Sequence, residues 1–215
     1  MDTSKKYVIT ISRELGSGGR TVGRKLAQAL DVRYSDKELV HELMKRFKLT
    51  TSGIEKLKGE KKSWISDFIQ MVAPMPKISL LVDNKSKYVA EFRPDVTSDD
   101  IFKAETEILK AIADESSCVI AGRSGFFVLR DHPNKLDIFI TASKEYRINH
   151  VAQKQNLTPE QAETLIDSID RERENYVQRH AGVSRYNLRN YQLVLNMDNI
   201  SEDKAVELIL SYIKG

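Results

Sequence analysis

The chain alternates short apolar runs with stretches of helical periodicity. Val8, Ile9 and Ile11 fall in a β-branched run that predicts a first strand from about Lys6 to Ile11. Val22, Leu26 and Leu30 recur at helical spacing and predict a helix from Thr21 to Leu30. A short strand is expected around Val32 to Tyr34. After it, Ser35 or Asp36 caps a helix that turns Leu39, Val40, Leu43 and Phe47 inward. Residues Thr50 to Asp100 are less regular: Ser63 to Val72 predicts a helix stopped by Pro74 and Pro76, and Lys85 to Arg93 reads as loop or strand. Ser98-Asp99-Asp100 starts a helix carrying Ile101, Phe102, Ile108, Leu109 and Ile112. Ser117 to Ala121 and Lys135 to Thr141 read as buried strands. Ser143 caps a helix to about Gln155, and Thr158-Pro159-Glu160-Gln161 is a capping box with proline at the first helical position, opening a long helix. Tyr191 to Asn196 predicts the last strand. Ser201 opens the last helix, with Ala205, Leu208, Ile209 and Tyr212 on one face. Five apolar strands separated by helices predict an α/β fold with a parallel sheet covered on both faces. Ligands then bind at the carboxyl ends of the strands.

The first such end meets a glycine cluster. Gly16, Ser17, Gly18, Gly19, Arg20 and Thr21 link the first strand to the first helix, the context that a phosphate-binding loop requires. Such a loop aims backbone N–H groups at an anion, and the helix N-terminus favours negative charge there. The standard pattern is Gly, four residues, then Gly-Lys-Ser/Thr. Anchored on Gly19, it places Glu14 at the first glycine, Arg20 at the lysine and Thr21 at the hydroxyl that touches magnesium.

Composition narrows the class. The 215 residues are enough for one full core, 40% are hydrophobic and 30% charged, and the formal net charge is +3. That small excess argues against a nucleic-acid partner but suits an anionic small molecule if arginines cluster. The single cysteine, Cys118, excludes an internal disulfide and reads as core packing beside Val119 and Ile120. His41, His132, His150 and His180 are dispersed without metal-ligand spacing. The polar Met1 to Lys6 segment predicts no leader, and no apolar run approaches a membrane span, so a cytoplasmic protein without a membrane partner is expected. The apolar residues between Trp64 and Val82 are expected to form a core flap or the surface of a homodimer.

Arginines stand where phosphate clamps belong. Arg123 follows Gly122 at a strand end, Arg147 lies one turn into the helix after Ser143, and Arg171 and Arg173 lie two apart, on different helix faces. Together these segments resemble the cytidylate kinase-like branch of the nucleoside monophosphate kinases. The matching pieces are Ile11 to Arg20, Tyr34 to Leu39, Val119 to Arg123, Phe139 to Ser143 with Arg147, Asp170 to Arg173 with Tyr176, and Tyr191 to Asn196. The resemblance implies a P-loop NTPase-like three-layer fold with a five-stranded parallel sheet and a helical lid. It implies a single kinase domain: a core of about residues 1–35, 99–155 and 186–215, an acceptor-binding insert of about 36–98 and a lid of about 156–185. It implies ATP and Mg2+ as cofactors and transfer of a phosphoryl group to CMP or dCMP. By position, Gly16 to Thr21 hold the donor phosphates, Thr21 the metal, Asp36 lies near the acceptor nucleoside and Arg123 binds the acceptor phosphate. Arg20, Arg147, Arg171 and Arg173 serve the transferring group. Bacterial members carry Lys where this chain has Arg20, and Asp-Gly-Arg-Asp where it has Ala121-Gly122-Arg123-Ser124. These departures leave open a kinase of a different small acceptor, or a nucleotide-binding regulatory protein of weak activity.

Overall fold

The computed structural model describes residues 1–36, 98–122 and 124–215. Strands β1 (Val8–Arg13), β2 (Arg33–Ser35), β3 (Cys118–Ala121), β4 (Lys135–Thr141) and β5 (Leu193–Asn196) form one parallel sheet in the order β2-β3-β1-β4-β5. The α/β expectation therefore holds. The strands are short and apolar because both faces are covered. On one face Ile9, Ile11, Ile138 and Ile140 pack against α1 (Gly19–Ala29) and α6 (Glu202–Lys214), through Val22, Leu26, Ala205 and Ile209. On the other, Val8, Cys118 and Ile120 pack against α2 (Ser98–Glu115) through Leu109, Ile112 and Ala113.

A one-turn helix, α3 (Gly125–Val128), follows β3 and had no sequence signal, since four residues carry no periodicity. Helices α4 (Lys144–Gln155) and α5 (Pro159–Ala181) lie against each other through Val151, Ala162, Ile166 and Ile169, and Leu15 of the glycine loop completes that cluster. The caps are the expected ones: Ser143 accepts from the Tyr146 N–H, Thr158 and Gln161 form the capping box, and Ser201 accepts from the Lys204 N–H. Cys118 is fully buried, as expected, and burial pushes its thiol up to about 11, which keeps it un-ionised at neutral pH.

Three expectations change. β1 runs on to Arg13, because Arg13 pairs with Ile140 and the Glu14 N–H continues the ladder to the Ile140 carbonyl at 3.1 Å. Helix α1 begins at Gly19, two residues early, because Gly18 takes a left-handed conformation (φ +80) and turns the chain into the helix. On α6 the buried face is Ala205, Val206, Ile209 and Ile213, whereas Leu208 and Tyr212 are 39% and 48% exposed. The helices expected after Asp36 and over Ser63 to Val72, the Lys85 to Arg93 segment, the Trp64 to Val82 surface and His41 lie outside the described residues. Among the described residues, no helix is long and apolar enough to cross a membrane.

The α6 correction is testable by chemical denaturation. Ile209→Ala should destabilise by about 2–5 kcal/mol, since it empties a buried site. Leu208→Ala should stay within about 0.5 kcal/mol. Equal losses would restore the face read from periodicity.

Candidate active site

The carboxyl end of β1 delivers Arg13 to the start of the glycine loop. Gly16 and Gly18 are left-handed (φ +87 and +80), a conformation that costs glycine little and other residues more. Gly16 also has no room for a side chain, because a Cβ there would lie 2.8 Å from the Arg147 carbonyl oxygen. Ser17 is buried and spends its hydroxyl on the Glu14 carbonyl at 2.9 Å. The Thr21 and Val22 N–H groups both donate to the Gly18 carbonyl. The N–H groups of Gly16, Gly18, Gly19 and Arg20 find no acceptor among the described residues. Four free donors at a helix N-terminus form a cradle that fits a phosphate chain.

One carboxylate pins this loop to the helical side of the molecule. Asp170, on α5, accepts from the Leu15 N–H at 3.0 Å and from Arg147 Nη1 at 2.7 Å. Arg173 Nη1 lies 3.2 Å and Arg185 Nη1 3.8 Å from the same carboxylate. Arg147 also donates to the Leu15 carbonyl and reaches Glu14 at 3.6 Å, while the Thr141 hydroxyl donates to Glu14. The Arg13 carbonyl accepts from both Arg173 and Arg185. Arg185 also lies over the Tyr186 ring, 5.2 Å from its centroid.

A second clasp closes the β2 end. Asp36 is buried and pairs with Arg20 Nε at 2.6 Å and Arg13 Nη2 at 3.5 Å. The Tyr34 hydroxyl donates to the Arg20 carbonyl at 3.2 Å. Burial, with Asp36 nearby, pushes that phenol up to about 12, so it remains a donor.

Arg13, Arg20, Arg147, Arg173 and Arg185 gather around Glu14, Asp36 and Asp170. Burial and the neighbouring charges of Arg13 and Arg185 pull Arg173 down to about 9, against the attraction of Asp170. Buried Arg147 leaves its Nε without a hydrogen bond. Guanidinium groups gathered in this way favour an anion that adds to their hydrogen bonds.

The structure thus gathers some of the expected residues and not others. Arg20, Arg147, Arg173 and Asp36 meet around the glycine loop. Arg171 is exposed on α5, on a different face from Arg173. Arg123 lies outside the described residues. Glu14, Asp170 and Arg185 were not singled out in the sequence. Asp170 had a signal in its i,i+3 spacing to Arg173, but Arg185 follows the Gly182 cap of α5 with no periodic context. Among the described residues, no group of three His, Cys, Asp or Glu gathers to hold a metal.

Known proteins share this arrangement of elements. A sequence profile described as "Cytidylate kinase-like family" matches residues 8–199. A cytidylate kinase of Sulfurisphaera tokodaii is 25% identical over 114 residues, 52% of this chain and 61% of that protein, so the chain spans about three fifths of its length. A solved structure of an uncharacterized protein from Eubacterium ventriosum superposes with a TM-score of 0.68 at 21% identity, covering 98% of this chain and 99% of that one. Shikimate kinase from Bacteroides thetaiotaomicron superposes with a TM-score of 0.53 at 14% identity, covering 97% of this chain and 99% of that one. These likenesses show the fold, the α/β fold of P-loop kinases. With the family profile spanning most of its length, this chain belongs to the cytidylate kinase-like family.

Proposed function

We propose that the chain moves the γ-phosphoryl group of ATP to a nucleoside monophosphate, with CMP or dCMP as the favoured acceptor. The observation that carries this reading is the meeting of four loop N–H groups, without an acceptor among the described residues, with Arg20, Arg147, Arg173 and Arg185. Phosphoryl transfer asks a protein for positioning and charge neutralisation more than for covalent chemistry. The backbone from Gly16 to Thr21 holds the donor phosphates, helped by the positive end of α1. Arg147 and Arg173 stabilise charge on the transferring group. Arg123 binds the acceptor phosphate, and Arg171 joins a lid that closes over the site and excludes water.

Asp36 marks the acceptor side. Its buried carboxylate, held by Arg20 Nε at 2.6 Å, suits a hydrogen-bond donor of the acceptor nucleoside. The name of the Sulfurisphaera tokodaii relative, a cytidylate kinase, supports a cytidine nucleotide as the acceptor. Magnesium would accompany ATP. Among the described residues the Thr21 hydroxyl is the expected contact for it, and the arginines neutralise the phosphates.

A coupled ADP-release assay over CMP, dCMP, UMP, dUMP, AMP and GMP tests the reaction. Turnover with CMP or dCMP is expected. Silence across the panel with ATP still bound would point to a nucleotide-binding role without transfer.

Arg173 supplies a second test. Burial and the neighbouring guanidinium groups disfavour its charged form, and a bound phosphate relieves that penalty, so ATP should raise the melting temperature. In Arg173→Ala, kcat should drop by roughly 10²-fold, and the stabilisation by ATP should shrink. An unchanged kcat with an unchanged ATP-dependent shift in the variant would remove Arg173 from the phosphate site.

A further inference from the structure

The glycine loop has no lysine at the position where the standard pattern needs one, and the structure shows what stands in its space. In that pattern the closing glycine turns the chain into the helix and the lysine follows it. Here Gly18 is the left-handed residue from which α1 starts. Closing the pattern on Gly18 puts the first-glycine position on Arg13, the lysine position on Gly19 and the hydroxyl position on Arg20. The loop thus has a long cation where the pattern has glycine, and glycine where it has a long cation.

Sterics show that the two departures belong together. A Cβ on Gly19 would lie 2.7 Å from Arg13 Cβ and 3.1 Å from Arg13 Cγ. The Arg13 stem therefore occupies the volume through which a lysine at 19 would leave the helix. The Arg13 guanidinium then crosses the carboxyl ends of the strands from β1 toward β3 and β2. A Cβ on Gly122 would fall inside that guanidinium, and Asp36 holds its far side at 3.5 Å. Two glycines, at 19 and 122, clear the path of one arginine. Arg20 is placed differently: it lies a further 100° around α1, its side chain is 39% exposed and its Nε is bonded to Asp36.

We infer that Arg13 carries positive charge to the β- and γ-phosphates of the donor, in the place of the missing loop lysine. This assignment rests on the proposed ATP-dependent reaction and adds a residue and a compensating exchange to it. A planar guanidinium can bridge two phosphate oxygens, where an ammonium supplies a point charge.

The test is ATP binding to the full chain by titration calorimetry with magnesium, which needs no acceptor, beside thermal melting of each variant. Arg13→Ala should weaken ATP binding by roughly 10²-fold. Gly19→Lys alone should lower the melting temperature, because its side chain meets Arg13. The double variant Arg13→Gly with Gly19→Lys, which restores the standard pattern, should regain most of the lost affinity. A purely structural Arg13 would not be rescued in that way. If wild type binds ATP and Arg13→Ala binds it equally well, the assignment falls and the kinase reading stands. If wild type binds no ATP, both fall. Should Arg13→Ala fail to melt cooperatively, Arg13→Gln keeps the packed Cβ–Cγ stem without the charge and is judged by the same outcomes.

Discussion

The site is organised around the carboxylate of Asp170. It holds Arg147 from α4, Arg173 from its own helix and Arg185 from the segment after α5, and it accepts the Leu15 N–H of the glycine loop. One negative charge thus joins the loop after β1 to the two helices that carry the arginines. The surrounding contacts depend on the same geometry. Leu15 enters the α4–α5 cluster because its backbone is held there, and Gly16 must be glycine because Arg147 is held so close. Removing such a carboxylate would leave buried guanidinium groups facing one another, a far larger penalty than the loss of a surface pair.

The gathering of arginines beside the glycine loop connects this architecture to function. Guanidinium groups crowded together gain stability from an anion bound among them. The Arg173 charge, disfavoured by burial and by Arg13 and Arg185, shows that crowding at one residue. The glycine loop adds donors of the same polarity, and α1 adds its dipole. Loop, helix end and arginines come from distant parts of the chain and converge because a parallel sheet places its carboxyl ends on one edge.

The glycines show how backbone and side chain exchange roles. Gly16, Gly18 and Gly122 take left-handed conformations, and Gly19 and Gly122 leave the space that Arg13 fills. A pattern of glycines and one cation can be written in more than one register, and only the helix start decides between them. Gly18 turns the chain, so the register closes on it and the cation moves from the helix to the strand end.

Much of the fold was legible in the sequence because its signals are local. Apolar β-branched runs marked the strands, and Ser143, Thr158 and Ser201 marked helix starts through their own side-chain bonds. The glycine loop, Arg147 and Arg173 were also legible, as residue types in a context that suits phosphate. The strand order was not, since the pairing of β1 with both β3 and β4 depends on contacts between segments more than a hundred residues apart. Nor was the buried face of α6, because Leu208 and Ile209 are equally apolar and only the docking against α1 separates them. The sequence by itself determined which segments become strands and helices and that a phosphate-type loop joins the first pair. The tertiary structure alone decided that Asp170 gathers Arg147, Arg173 and Arg185, and that Arg13 lies over Gly19. Those facts rest on distances between side chains far apart in the chain, which no local pattern encodes.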